Sequence, residues 1–213
     1  MKIRTLLKCG SCLQFKIYNL INELCNNDVI DFDTSHLSAK PESFQAIEDS
    51  DIIVLRHPVN RLISMYYSSG WTHTTDKYTD KEWKERKRIR KLSLSEFVIS
   101  YKLHWQKNVY EKLLNMNHPR IIKYENIMDN PKGYMSLILD KINRLDLLDE
   151  VYNNLKNEFI FDGKDRSDDI VNKGLITHVR NLDHKEYLSK FNECEIFFID
   201  RMLGDLLERY DNL

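Results

Sequence analysis

Three observations predict an α/β fold with a central parallel sheet flanked by helices. Short apolar runs at 3–7, 29–32 and 51–55 alternate with stretches of helical spacing. The run Asp51-Ile-Ile-Val-Leu55 is almost continuously apolar, as a strand covered on both faces must be. The order strand, helix, strand, helix, strand then predicts parallel pairing with helical crossovers. At 213 residues and 42% hydrophobic, the chain has the size and composition of one domain spanning 1–213.

Element by element, Ile3 to Leu7 reads as the first strand. Leu13, Ile17, Leu20, Ile21 and Leu24 follow as the apolar stripe of a helix. Val29 to Phe32 is the second strand, Pro41 opens a short helix through Ile47, and Asp51 to Leu55 is the third strand. Pro58 then stands at the first turn of a helix. Leu94, Phe97, Val98, Tyr101, Trp105, Val109 and Leu113 mark a long amphipathic helix, and Arg120 to Tyr124 a further strand. Asn130-Pro131 caps a helix reaching about Ile142. Asn157 to His178 lacks periodicity and holds Gly163 and Gly174, which predicts a long functional loop or lid, and Ile196 to Tyr210 is a closing helix.

Composition excludes several classes. With 32 basic and 33 acidic residues the net charge is −1, so any attraction to nucleic acid or an anionic membrane must be local. No apolar run approaches the roughly 20 residues of a membrane span, and the N-terminus enters a strand pattern instead of a signal-peptide core. Cys9, Cys12, Cys25 and Cys194 form no disulfide framework. The expectation is a cytoplasmic protein in a reducing compartment.

Two segments point to phosphate. In the first, Lys8-Cys9-Gly10-Ser11-Cys12 lies at a strand-to-helix turn, where backbone N–H groups and a helix dipole face an anion. Gly10 permits close approach, Lys8 adds charge, and Ser11 can cap the helix and donate to a phosphate oxygen. The Walker spacing is absent, because the lysine precedes the glycine. In the second segment, Arg56 leaves a strand and Ser64 lies two turns into the next helix, a bidentate fork and a neutral donor for one anion. Arg61 and Ser64, three apart, share a helix face, and His57 reads as a turn residue. The C-x-x-C of Cys9 and Cys12 also admits a thioredoxin-like dithiol, with Lys8 and the helix N-terminus favouring a thiolate.

With both elements placed, the chain resembles the sulfotransferases that use 3′-phosphoadenosine-5′-phosphosulfate (PAPS), and most of all their carbohydrate branch. Lys8-Cys-Gly-Ser11 and Arg56-His-Pro-Val-Asn-Arg-Leu-Ile-Ser-Met-Tyr66 are similar to that family's 5′-phosphosulfate and 3′-phosphate elements. His36 falls where the family has its base, Ile122-Lys-Tyr-Glu-Asn-Ile127 with Asn130-Pro131 resembles its segment near the adenine, and Asn172-Lys-Gly174 its late loop on the 3′-phosphate. Three positions depart from the pattern: Leu13 replaces a tryptophan, Asn172 an arginine and Thr34 a lysine.

The resemblance implies a P-loop-like sulfotransferase architecture and in-line sulfuryl transfer to a hydroxyl acceptor, without metal. Lys8 and His36 are the implied catalytic residues. Lys8, Cys9, Gly10, Ser11, Cys12, Arg56, Ser64, Tyr124, Lys173 and Gly174 are the implied nucleotide contacts. A thioredoxin-like oxidoreductase and a non-catalytic nucleotide-binding relic are the alternatives. Lys77 to Lys91 carries eight basic and three acidic residues. Its ordinary meaning is a solvated helix face, and its functional one the attraction of an anionic acceptor such as an acidic glycan through Arg86, Arg88 and Arg90.

Overall fold

The computed structural model describes residues 1–27, 29–32, 47–72, 79–160, 164–173 and 185–213. They group into two compact units, one of residues 1–56, 116–160 and 213, the other of residues 57–115 and 161–212.

The first unit holds the sheet. Its strands are β1 (Lys2–Thr5), β2 (Asp31–Phe32), β3 (Ile52–Leu55) and β4 (Ile121–Lys123), all parallel, in the order β2-β1-β3-β4. Register is fixed by Ile3 opposite Phe32, Thr5 opposite Val54 and Leu55 opposite Lys123. The chain runs outward from β1 to β2, returns across β1 to β3, and continues to β4. Every residue of β3 is buried, as its unbroken apolar run requires. A buried ion pair ties β1 to the turn before β3: Arg4 Nε donates to Asp51 Oδ2 at 2.7 Å, and the Lys2 backbone N–H donates to Asp51 Oδ1 at 3.0 Å.

Helix α1 (Ser11–Cys25) buries Ile17 and Ile21 of its predicted stripe, together with Gln14 and Asn22, and leaves Leu13, Leu20 and Leu24 half-buried. Its C-terminus is fixed by Asn22, whose Oδ1 accepts from the Val29 and Ile30 backbone N–H groups while its Nδ2 donates to the Ile30 carbonyl. The helix predicted from Pro41 lies mostly outside the described residues. Beyond β4, residues 124–155 of this unit hold three further helices, with Asn130 capping the one that Pro131 opens by accepting from the Gly133 N–H.

The regular elements of the second unit's described residues are all helical. Helix α2 (Pro58–Tyr67) continues into a π-helical turn at Ser68–Thr72, followed by α3 (Asp80–Ile89). The predicted amphipathic helix is two pieces in series, π-helical over Glu96–Lys102 and α-helical in α4 (Leu103–Asn115). In the first unit, β4 leads into α5 (Tyr124–Asp129), α6 (Pro131–Lys141) and α7 (Leu148–Leu155). The second unit then adds α8 (Ser167–Lys173), α9 (Glu186–Lys190) and α10 (Glu193–Asp211) around a core of Leu62, Tyr66, Phe97, Val98, Ile199 and Leu203.

The 157–178 stretch is therefore not one long loop. A short 3₁₀ turn ends it on one side, and α8 forms where Asp165 accepts from the Ser167 N–H and hydroxyl, with Ile170 buried beneath. Two buried residues in seven, only one of them apolar, give too little periodicity to read. His57 is also more than a turn residue. It is the N-cap of α2, buried, with its ring stacked on Tyr187 at 4.8 Å.

Candidate functional site

Three adjacent strands of the first unit end in a row, and each delivers one element of a cluster. The turn after β1 carries Lys8 and Gly10, β3 is followed by Arg56, and β4 by Tyr124. Because Leu55 pairs with Lys123, Arg56 and Tyr124 come side by side one residue later, and the Arg56 guanidinium carbon lies 5.6 Å from the Tyr124 ring centroid. The reversal of strand order falls between β1 and β3, and the carboxyl ends at such a reversal are where open parallel sheets bind ligands.

Backbone conformation shapes the turn. Lys8 and Gly10 both adopt left-handed φ, at 72° and 81°, and the Cys9 N–H donates to the Leu6 carbonyl at 3.1 Å. Gly10 is required twice over. Its φ disfavours an L side chain, and a Cβ there would stand 2.3 Å from Tyr124 Cε2. Gly10, not Ser11, is the N-cap of α1, with no side-chain cap bond, which corrects the expected role of Ser11. Ser11 is the first helical residue, because the left-handed turn at Gly10 already reverses the chain.

The cluster brings two cations close together. Burial, with the neighbouring Arg56 cation, outweighs the opposing influence of Cys12 and lowers the Lys8 ammonium to about 8. The Tyr124 phenol is pushed up by its burial, Arg56 opposing, with Cys9 and Cys12 also within reach. Cys9 is fully buried and Cys12 exposed, both as free thiols. An anionic ligand would relieve the proximity of two cations at the N-terminus of a 15-residue helix.

The structure thus gathers Lys8, Cys9, Gly10, Ser11, Cys12, Arg56 and Tyr124 in the first unit. Ser64 and Lys173 belong to the second unit. Lys173 ends α8 with its Nζ 2.6 Å from Asp169 Oδ1, and Ser64 is half-buried on α2. Arg61, three residues before Ser64 on α2, is buried at 2% exposure. Its Nη1 donates to Gln106 Oε1, and its guanidinium lies 5.2 Å from the Trp105 centroid. His36 and Gly174 lie outside the described residues.

Two arginines of the basic run bond backbone carbonyls. Arg86 is buried and donates to the Trp71 carbonyl, and Arg90 Nε donates to the Gly70 carbonyl at 2.6 Å. Both anchor α3 to the preceding π turn. The sequence missed this because an arginine in a basic run looks solvated until the helix phase is known. It also missed Gln14, which is buried one turn into α1 and accepts a hydrogen bond from the Tyr134 hydroxyl. Its place inside the apolar stripe was the available signal.

No family model matches this chain, and neither the curated proteins nor the solved structures include one significantly similar to it.

Proposed function

We propose that this protein is a PAPS-dependent sulfotransferase acting on a hydroxyl acceptor. The observation that carries the reading is the convergence of Lys8, Gly10 and Arg56 at the carboxyl ends of β1 and β3, where the strand order reverses. Two cations and a helix N-terminus there suit a nucleotide with phosphoryl groups at two positions.

In this reading the backbone N–H groups from Gly10 to Cys12 hold the 5′-phosphate and Arg56 the 3′-phosphate. Sulfuryl transfer joins the acceptor oxygen to sulfur as the bond from sulfur to the bridging oxygen breaks, releasing 3′,5′-adenosine bisphosphate. Lys8 neutralises the charge growing on that bridging oxygen, and His36 takes the acceptor's proton. Positioning and charge stabilisation dominate such loose, in-line transfers.

The dithiol alternative is weakened by exposure. An attacking thiol at the start of a C-x-x-C motif must reach solvent, whereas Cys9 is fully buried and Cys12 is the accessible one. The nucleotide-binding relic shares the anion site and differs only in turnover.

Calorimetric titration with 3′,5′-adenosine bisphosphate, AMP and ATP tests the donor class. The expected result is tightest binding of the bisphosphate and its loss in Lys8→Ala. Equal affinity for AMP and the bisphosphate would remove PAPS as the donor.

A further inference from the structure

Among the described residues, the exposed stripe of α3 carries an excess of basic side chains. Over residues 79–102 of the second unit there are eight basic side chains and four acidic ones. Arg86 and Ile89 face inward, which turns Lys81, Lys84, Lys87 and Arg88 outward on the opposite side, with Lys91 continuing the stripe just past the helix end. Among the described residues, Lys84, Lys87 and Lys91 have no ion-pair partner.

Three of the four nearby carboxylates are engaged elsewhere. Glu82 accepts from the Thr79 N–H and hydroxyl in a capping box, Glu85 from the Tyr101 hydroxyl, and Glu96 from the Ser93 N–H. Asp80 lies in the first turn. Trp83 is 39% exposed and flanks the stripe one turn before Lys87.

The type of cation left over discriminates among partners. Arginine reads phosphates and sulfates through a planar, bidentate fork. Here Arg86 and Arg90 bond backbone carbonyls, and the Arg88 guanidinium lies 4.5 Å from the Tyr101 centroid. Apart from Arg88, the outward stripe is a row of lysines, point charges on flexible stems, beside a tryptophan with an apolar body and a polar N–H. That combination fits a diffuse, flat layer of negative charge with an apolar region beneath it.

We propose that the Lys84–Lys87–Lys91 stripe, with Trp83 at its edge, is a peripheral docking surface for a membrane rich in anionic lipid headgroups. It is independent of the sulfotransferase reading.

The test is co-sedimentation of the full chain with vesicles of phosphatidylcholine alone and of phosphatidylcholine with about 30 mol% phosphatidylserine, at ~0.1 M salt. The chain is expected to pellet only with the anionic vesicles and to release at high salt. Each Lys→Gln change at Lys84, Lys87 or Lys91 should weaken binding roughly fivefold, and Trp83→Ser should weaken it further. These side chains point to solvent, so the triple variant should keep the wild-type circular dichroism spectrum and melting temperature. Equal pelleting with both vesicles, or undiminished pelleting of the folded triple variant, would overturn the proposal. Absence of vesicle binding by the wild-type chain, with heparin or duplex DNA bound through the same lysines, would overturn it in favour of a soluble polyanion.

Discussion

Lys8 carries a positive charge that the folded state disfavours, since burial and Arg56 bring its ammonium down to about 8 from 10.5. Between those two values the unfolded chain binds more protons than the folded one, so stability rises with pH across that window. At neutral pH the charge therefore opposes folding, by on the order of 2 kcal/mol after allowance for solvent access. Lys8→Met is expected to raise the melting temperature at pH 7 while abolishing bisphosphate affinity, read by calorimetry and titration on one preparation. With wild-type protein, affinity should fall as pH rises through about 8, and Lys8→Arg should flatten that dependence. Gly10→Ala should disrupt the same turn, because the new methyl meets the Tyr124 ring at 2.3 Å. A loss of roughly 1–3 kcal/mol in chemical denaturation is expected, with partial recovery in the Gly10→Ala, Tyr124→Leu double variant. The dithiol alternative is best tested with Cys12→Ser alone, since Cys9 is fully buried and a hydroxyl there would disturb the core.

At the scale of elements, two ion pairs staple segments distant in sequence. Asp51 joins the turn before β3 to β1. Burial would push its carboxyl up, but hydrogen bonds from Arg4 and from the Glu48 and Lys2 backbone N–H groups outweigh that and lower it below 3.8. A depressed carboxyl stabilises the fold above its unfolded value and loses that contribution as pH falls through the folded one. Acid unfolding below about pH 4 is therefore expected to flatten in Asp51→Asn, which should also be about 3 kcal/mol less stable at pH 7 because Arg4 is left buried without its carboxylate. Asp165 behaves similarly in the second unit. Despite burial, hydrogen bonds from Lys190 and Ser167 bring it to about 2, joining the start of α8 to the end of α9. These elements differed in legibility. β3 and α2 were readable, one from its apolar run and the other from Pro58, whereas α8 was not, because a Ser-Asp-Asp start with a single buried isoleucine resembles a loop.

For the molecule as a whole, no described helix is long and apolar enough to cross a membrane. Binding of the bisphosphate is expected to raise the melting temperature in proportion to the logarithm of its concentration, and Arg56→Ala to remove that dependence without altering the circular dichroism spectrum. The amino-acid order by itself determined the parallel α/β sheet and the turn of Lys8 to Cys12, because both depend on local periodicity and on residues next to one another in the chain. Tertiary structure decided what adjacency cannot encode. Strand order placed Arg56 between Lys8 and Tyr124, while helix phase turned Arg61 and Arg86 inward as anchors and left lysines at the surface. The physical reason is that a guanidinium's role depends on whether its helix or strand aims it at water, at a carbonyl or at another cation, and that direction is set by packing between segments far apart in sequence.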